Sequence, residues 1–220
     1  MDDGAHLTIE VVADSGEPMQ PKKNAKTFVN QCGVIVRDNV PINIQEWNEP
    51  KKQDGVSYVS DRYKDALWAK LSSYFTLPVL ENEEKTEELM LRVKYFALRK
   101  MATQFNKFKN RLWAEYVKAE KKDPTEWKGP LVKQRAHWPK FLEMKKLEVF
   151  KQRSAKNKEN AAKNKYHHTM GTGGYKKSVP KWDKIEDAML AQGIIPETQE
   201  WATRHINWVL GHRGEYNMQT

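Results

Sequence analysis

The residues whose types and spacing could do chemistry lie close together in one stretch, RSAKNKENAAKNKYHHTMGTGGYKK at 153–177. The stretch combines closely spaced lysines, two adjacent histidines and a run of glycines, with almost no apolar side chain large enough to form a core. These residue types fit a grip on nucleic acid, a metal site, a phosphate-binding loop or a solvated arm. The spacing of the residues and the composition of the rest of the chain distinguish these possibilities.

The adjacent histidines, His167 and His168, have poor geometry for a shared metal ion. Neighbouring side chains on an extended segment point to opposite sides, and a structural zinc site uses about four nitrogen or sulfur ligands with paired spacing. The surrounding sequence supplies no cysteine, and the other histidines are scattered. The pattern therefore predicts no metal ligands here, and the two histidines are interpreted as polar loop residues or phosphate contacts.

The glycine run GTGG at 171–174 does not fit a nucleotide-binding loop. Such a loop follows a strand, opens a helix N-terminus and has the frame G-x-x-x-x-G-K-[ST]. Here Pro180 and Trp182 come before the next predicted helix, and no strand precedes the glycines. The run is interpreted as a flexible hinge, and the sequence predicts no cofactor.

Catalytic chemistry has little support elsewhere in the chain. Cys32 is the only cysteine, so no intrachain disulfide can form, and it stands beside Gly33 with no evident base. Carboxylates cluster in helix starts and turns, where helix capping explains them, whereas a metal-dependent nuclease needs separated carboxylates that converge on two metals. We therefore assign no catalytic residues and favour a function that is not enzymatic.

The positive charge of the chain is concentrated in one block. The formal net charge is +9, and residues 133–184 contain 15 Lys and Arg against 4 Asp and Glu. Residues 1–132 are nearly balanced, with 21 against 20, and residues 185–220 are acidic, with 2 against 5. A basic block indicates a polyanionic partner, since a surface that is merely soluble usually mixes its signs more evenly.

The strongest predicted helix covers residues 82–121, with acidic residues at its start and basic ones toward its end, as the helix dipole favours. Met101, Phe105, Phe108, Leu112 and Tyr116 recur at helical spacing and predict a buried face. Beside that face, at about 240–300° on a helical wheel that has Met101 at 0°, lies a polar and basic stripe. The stripe is either an ordinary solvated flank or a DNA-reading surface, and its members are Lys100, Gln104, Lys107, Arg111 and Lys118.

A second basic element, a long helix followed by a hinge, is predicted over residues 131–170. Its apolar side ends at Phe150, and residues 151–165 are good helix formers with nothing to bury. This part is expected to extend into solvent or to become ordered on a partner. Lysines contact phosphates without reading sequence. The predicted DNA-binding residues of this block and its flank are Lys151, Arg153, Lys156, Lys158, Lys163, Lys165, His167, His168, Lys176 and Lys177.

The remaining segments complete a mainly α fold. Residues 1–30 are predicted to be a loose N-terminal arm, in which LTIEVV could form a short strand. Residues 31–121 are predicted to be a helical unit, with short strands or a loop at 31–50 and a helix at 59–77 capped by Ser60 or Asp61. Residues 178–217 are predicted to form a helical pair. In its first helix Asp183 is the predicted N-cap and Gly193 the predicted stop.

The spacing of the tryptophans in the helical unit resembles the pattern of Myb-like and trihelix DNA-binding domains, although here it is irregular. Trp47, Trp68 and Trp113 are expected to form the core of that unit. The N-terminus lacks the features of a secretory signal. No apolar run is long enough to span a membrane, so no membrane partner is predicted.

Several segments, in order, resemble the plant transposase family associated with Enhancer/Suppressor-mutator (CACTA-type) elements. The most specific is the run from Ser154 that continues into the His-Thr-x-Gly at 168–171. The resemblance covers about residues 30–217. The similar segments are GVIVRDNVPINIQEW (33–47), FNKFKNRLWAEYV (105–117), HWPKFLEMKK (137–146), SAKNKENAAKNKYHHTMGTGGY (154–175) and PKWDKIEDAMLAQGIIPETQEWATRHINWVLGHRGEYN (180–217).

The resemblance implies a protein encoded by a transposon or derived from one, which binds DNA in the nucleus and assembles with itself or with another transposon-encoded protein. It supplies no catalytic residues for this chain. The sequence departs from the family pattern at Asn160-Ala161, where relatives often have Asn-Arg, and at Phe105-Asn106, where they often have Trp-Arg. Relatives usually also continue beyond the position of Thr220, so the resemblance implies a truncated or degenerate copy.

Two other classes of function stay open at this stage. The chain can be a protein–protein adaptor or an oligomerisation module of a transposition complex, in which case the lysines of 151–165 act as a nuclear-import signal. It can also be a complete transposase enzyme, which the absence of a recognisable strand-borne carboxylate triad disfavours.

Overall fold

In a computed structural model of the chain, residues 6–51, 55–118, 124, 128–163 and 174–213 are described. The fold is mainly helical, as the sequence predicts, and the chain divides into two compact units, Met1–Lys151 and Gln152–Thr220. The strands are β1 (Leu7–Thr8), β2 (Val11–Val12), β3 (Pro18–Gln20) and β4 (Phe75–Thr76). The helices are α1 (Lys22–Asn39), α2 (Asp61–Ser72), α3 (Glu83–Leu112), α4 (Pro130–Gln134), α5 (Trp138–Lys146), α6 (Glu148–Ala162), α7 (Gly174–Ala191) and α8 (Thr203–Arg213).

The core of the first unit forms where α1 and α2 pack against α3. Phe28 of α1 meets Phe75 of β4 edge to face, with 4.9 Å between ring centroids. The predicted apolar face of α3 is confirmed, because Met101, Phe105 and other members of that face are buried. Burial of these large side chains supplies the main stabilisation of the unit.

The expectation of a loose arm at residues 1–30 is wrong for the part that the structure describes. β2 pairs antiparallel with β3, and β1 pairs in parallel with β4. Ile9 and Phe28 are fully buried. The helix that starts at Lys22 has polar first turns, so its apolar spacing only becomes visible from Phe28 onward, and the predicted strands or loop at 31–39 are its second half.

Helix α2 confirms the helix predicted at 59–77, with narrower limits. The hydroxyl of Ser60 accepts a hydrogen bond from the backbone N–H of Tyr63, so Ser60 is the cap. Leu67 and Leu71 are buried against the core. The helix ends before Pro78, and the next residues form β4 and pair with β1.

A second, smaller core lies at the C-terminal end of α3. Phe108 and Leu112 pack there with Ile42, Trp138 and Phe141, and α3 continues into a π-helical turn at 113–117. The buried side chain of Gln134 connects this core to the loop after α1. Its amide nitrogen donates to the backbone oxygens of Arg37 and Val40 at 2.6 and 3.1 Å, and its oxygen accepts from the Ile42 N–H at 3.0 Å.

The long basic helix predicted over 131–170 is broken into several pieces. α4, a 3₁₀ turn at 135–137, α5 and α6 follow one another, and Leu147 between α5 and α6 has an extended backbone with ψ of 138°. The break places the ring of Phe150 against the ammonium group of Lys145. Leu147 then acts as the start of α6, because its carbonyl accepts from the N–H groups of Phe150 and Lys151.

The second unit contains the predicted C-terminal helical pair, with a different start. α7 begins at Gly174, so the expectation that Asp183 caps it is wrong, since Asp183 lies inside the helix. The helix continues through Pro180, and the rings of Tyr175 and Trp182 meet across the turns on either side of it, with centroids 6.3 Å apart. Gly193 ends the helix as predicted, with φ of 73° and the Ile194 N–H donating back to the Met189 carbonyl.

Within the described ranges, no helix combines the length and the apolar character that crossing a membrane requires.

Candidate nucleic-acid interface

The buried face of α3 changes direction along the helix, and this change decides which residues of the predicted stripe are exposed. In the first half, the larger core, to which α1 contributes, covers the side of Val93 and Phe96, at about 220–280° on the wheel. In the second half, the smaller core covers the side of Phe108 and Leu112, at about 340–20°. Lys109, at about 80°, is also buried. A stripe at a fixed angle is therefore partly covered at its start and exposed at its end.

Lys100 and Gln104 lie at the covered end of the stripe. A Cβ added at Gly33 of α1 would stand 3.6 Å from the Gln104 side chain and 3.3 Å from the Arg37 guanidinium. Both Lys100 and Gln104 are half-buried, and the Lys100 ammonium lies 5.0 Å from the Phe96 ring centroid. These two side chains line the seam between α1 and α3 and do not share the outer face with the rest of the stripe.

Lys107 and Arg111 lie on the exposed face of the second half of α3. Sequence reasoning missed three residues of that face, Thr103, Asn106 and Asn110, which are also exposed. The spacing of all five follows one side of a helix. The face presents two amides and two cations, the side-chain types that read adenine and guanine edges in a major groove. A helical wheel of the second half of α3 alone, with the side opposite its buried residues taken as exposed, would have identified this face.

The basic residues at the end of α3 make weak local contacts. The Arg111 guanidinium lies 3.8 Å from the Glu115 carboxylate and 5.7 Å from the Phe108 ring centroid, and the Lys118 ammonium lies 6.0 Å from the Trp113 ring centroid. An exposed ion pair of this kind contributes only about 0.5 kcal/mol. A phosphate or a base edge can therefore displace Glu115 from Arg111 at small cost.

Helix α6 is the most exposed basic element that the structure describes. It has 15 residues, which corresponds to a length of about 22 Å, and every residue from Lys151 to Lys163 is exposed except the half-buried Ser154. The predicted contact residues of this helix all project from it into solvent. They are Lys151, Arg153, Lys156, Lys158 and, at the C-terminal end, Lys163.

Acidic residues neutralise only part of this helix. The Lys151 ammonium lies 3.8 Å from the Glu148 carboxylate, and the Lys163 ammonium lies 2.6 Å from the Glu159 carboxylate. Lys156 and Lys158 have no acidic partner in the described part of the chain. The middle of α6 therefore carries the charges of Lys156 and Lys158 on different sides, with no acidic partner for either among the described residues.

The start of α6 is held by a buried cation. Lys145 of α5 is only 6% exposed, and its ammonium group lies 5.4 Å from the Phe141 ring centroid and 3.8 Å from that of Phe150. A desolvated cation over an aromatic face contributes about 2 kcal/mol. Phe150 is the last large apolar residue of the segment, so this contact is the last one that holds α6 before its exposed turns.

The other predicted contact residues lie outside α6, either beyond the described residues or on α7. Lys165, His167 and His168 lie outside the described residues, so their role stays a prediction. Lys176 and Lys177 belong to α7. The glycine run predicted to be a hinge is described only at Gly174, which opens α7 with φ of 53°.

The environment of Cys32 disfavours nucleophilic chemistry at this residue. Burial raises the pKa of the Cys32 thiol to about 12, so the thiol stays protonated at neutral pH and is a poor nucleophile. In the described ranges, no group of three or more His, Cys, Asp or Glu side chains could hold a metal ion.

Comparison of the chain with protein-family models, with curated proteins and with solved structures gave no match.

Proposed function

We propose that this chain is a non-catalytic DNA-binding protein that grips phosphates through α6 and reads bases through the second half of α3. The single observation that carries the proposal is the exposure of α6, a basic helix with unneutralised lysines and no buried face from Lys151 onward. On this proposal the first unit acts as a Myb-like or trihelix-like domain. The protein is nuclear and derived from a transposon of the Enhancer/Suppressor-mutator type.

Helix α6 has few packing contacts to stabilise it. Helices depend mainly on tertiary packing for their stability, and α6 exposes nearly all of its surface after Phe150. Like charges on neighbouring turns disfavour the helix further. Phosphates of a duplex relieve that repulsion and release counterions, so α6 gains most from a polyanionic partner.

The argument for base reading rests on the exposed face of α3. Asn106, Asn110 and Arg111 have the donor and acceptor groups that pair with base edges, and a helix of this diameter fits the major groove. Lys107 stands beside them and supplies a phosphate contact at the edge of the groove. Lys100 and Gln104 lie in the seam with α1, so on this proposal they support the reading face and do not enter the groove.

The direct test is charge reversal in the middle of α6. The double variant Lys156→Glu and Lys158→Glu should weaken binding of the purified chain to random duplex DNA by at least ten-fold at low salt, since each lost phosphate contact removes a counterion-release contribution. Fluorescence anisotropy of a labelled duplex measures the affinity.

A matched control separates the contact from net charge. Lys22 and Lys85 are exposed lysines at the starts of α1 and α3, and reversing both produces the same change in net charge. This control variant should bind duplex within about two-fold to three-fold of the unmodified chain, because distant exposed charges are screened. Equal loss in the two double variants would reject α6 as the phosphate grip.

A protein–protein adaptor is the second candidate, and one observation favours it. Leu91 and Tyr95 lie one turn apart on α3, and they are 63% and 65% exposed. Exposed apolar side chains of this size are typical of an interaction surface. If the adaptor hypothesis is correct, Leu91→Asp should abolish self-association in analytical ultracentrifugation, and reversal of Lys156 and Lys158 should block nuclear import while DNA affinity is unchanged.

A further inference from the structure

The second unit contains an aromatic groove between the start of α7 and the start of α8. Its volume is about 810 Å³, and it is lined by Tyr175 from α7 and by residues of α8 and the turn before it: Ala202, Thr203, Arg204, His205, Asn207 and Trp208. We propose that this groove binds an unpaired nucleobase of single-stranded nucleic acid. The volume is ample for one base with its sugar, and ligand pockets commonly fall in this size range.

The aromatic side chains that line the groove are partly exposed. The indole of Trp208 stacks on His212 at 4.6 Å and 26° on one side, yet 47% of the residue stays exposed. His205, one turn earlier, stacks on Trp201 at 4.9 Å and 15°. Tyr175, which lines the groove from α7, is 39% exposed. Planar rings in the lining are suited to a planar guest.

Contacts with neighbouring residues hold the rings of the groove in place. The Nδ1 atom of His212 lies 2.6 Å from the backbone oxygen of Trp208, and Tyr175 is held edge to face against Trp182. Rings fixed in this way lose little conformational freedom when a guest binds. Stacking of a base on such a ring tolerates any base, since every base has a π face.

The polar residues of the groove favour a base over a purely apolar guest. Arg204 and Asn207 both line it, and together they offer guanidinium and amide donors with an amide acceptor. An apolar ligand would leave these groups unpaired, whereas a base presents donors and acceptors along its edge. Arg204 lies one turn from Trp208 on α8, so it can reach the phosphate beside a stacked base.

This inference goes beyond the proposed function, because it uses other helices of the chain, α7 and α8, and another form of nucleic acid. Duplex binding through α6 and α3 uses bases that remain paired. The groove requires an unpaired base, so it selects single strands, frayed ends or unpaired positions.

The test compares Trp208→Ala with Tyr95→Ala, an exposed aromatic of the first unit. Anisotropy of a labelled oligothymidylate is recorded in moderate salt, where phosphate contacts are weakened. We expect affinity to fall on the order of ten-fold for Trp208→Ala and to stay unchanged for Tyr95→Ala. Trp208→Phe keeps a ring and should restore most of the affinity, and Arg204→Ala should weaken binding without removing the ring.

Trp208→Ala can also disturb the packing of α7 and α8, which circular dichroism detects. In that case Trp208→Phe and Arg204→Ala decide the question. Unchanged affinity in both Arg204→Ala and Trp208→Ala, or equal loss in Tyr95→Ala, would overturn the proposal.

Failure of the phosphate grip can be recognised separately. Stacking of a base on Trp208 should quench tryptophan fluorescence when oligothymidylate is added. This quenching should remain in the variant with Lys156 and Lys158 reversed. A loss of quenching in Trp208→Phe relative to the unmodified chain assigns the signal to the groove, and persistence of the full signal would overturn it.

Discussion

The ammonium group of Lys145 lies 3.8 Å from the ring centroid of Phe150, across the backbone break at Leu147. Lys145 is nearly buried, and its charge is also close to the ring of Phe141. Aromatic faces here replace much of the water that the ammonium group has lost. The contact fixes the first turn of α6 and so determines where the exposed basic helix begins.

Replacing Phe150 with alanine should destabilise the chain by about 2 kcal/mol, because the variant loses both the buried ring area and the cation–π contact. Urea denaturation, followed by far-ultraviolet circular dichroism, measures the free energy of unfolding. Phe150→Tyr keeps the ring face and should cost less than about 1 kcal/mol. Similar losses in the two variants would show that the ring face over Lys145 has no special role.

Lys109 and Lys107 provide a matched pair on α3. The Lys109 ammonium donates to the backbone oxygens of Ile44 and Gln45 at 2.9 and 3.1 Å and lies 4.4 Å from the Phe105 ring centroid. Lys109→Ala should therefore cost about 2–4 kcal/mol, since two carbonyls lose a charged donor. Lys107→Ala, at an exposed position, should change stability by less than about 0.5 kcal/mol. Thermal or chemical denaturation of both variants gives the comparison, and equal costs would contradict it.

Gly16 should not tolerate a side chain. Its φ is +79°, and an added Cβ would stand 2.1 Å from the backbone oxygen of Arg92 on α3. Gly16→Ala should cost at least about 3 kcal/mol, because the hairpin of β2 and β3 would have to move away from α3. Gly55 has a φ of +76° and no heavy atom within 4 Å of an added Cβ.

Gly55→Ala is therefore the control for backbone strain alone and should cost about 1 kcal/mol. The difference between the two free energies of unfolding measures the steric contact. A difference below about 1 kcal/mol would mean that the hairpin does not pack on α3 as described.

The buried thiol of Cys32 predicts a loss of stability at alkaline pH. Burial raises its pKa from 9.0 to about 12, so the folded chain keeps the thiol protonated while the unfolded chain releases the proton. The stabilisation is fully present below pH 9 and is lost as the pH rises from there toward 12. The largest slope for one such group is about 1.4 kcal/mol per pH unit.

Cys32→Ala should therefore show a shallower decline in stability than the unmodified chain over that range, although it is less stable at neutral pH. A thiol reagent at mildly alkaline pH should modify Cys32 only after denaturation. Parallel pH profiles, or rapid labelling of the native chain, would contradict the buried position of the thiol.

The sequence predicted the elements that depend on local spacing. The buried face of α3, a cap of α2 at Ser60 or Asp61 and the stop at Gly193 follow from helical periodicity and capping chemistry within a few residues. Residues 6–30 could not be placed in the same way. They contain three short strands, of which β1 pairs with β4, far along the chain. A strand of two or three residues has no readable period.

In the candidate sites, too, the features set by local spacing could be predicted and those set by distant packing could not. The basic composition and exposed position of α6 could be read from the absence of apolar residues after Phe150. The outer face of α3 could not, because two separate cores turn the buried side of the helix between Val93 and Phe108. The aromatic groove depends on the packing of α7 against α8, which brings Tyr175 close to Trp208.

The measurement that tests the central claim most directly is the salt dependence of duplex binding by the unmodified chain. Fluorescence anisotropy on random duplex should show log K falling linearly with log salt, with a slope of about −0.9 for each phosphate contacted. The variant with Lys156 and Lys158 reversed should have a slope shallower by about two contacts. Absence of duplex binding at low salt, or an identical slope in both proteins, would contradict α6 as the grip on DNA.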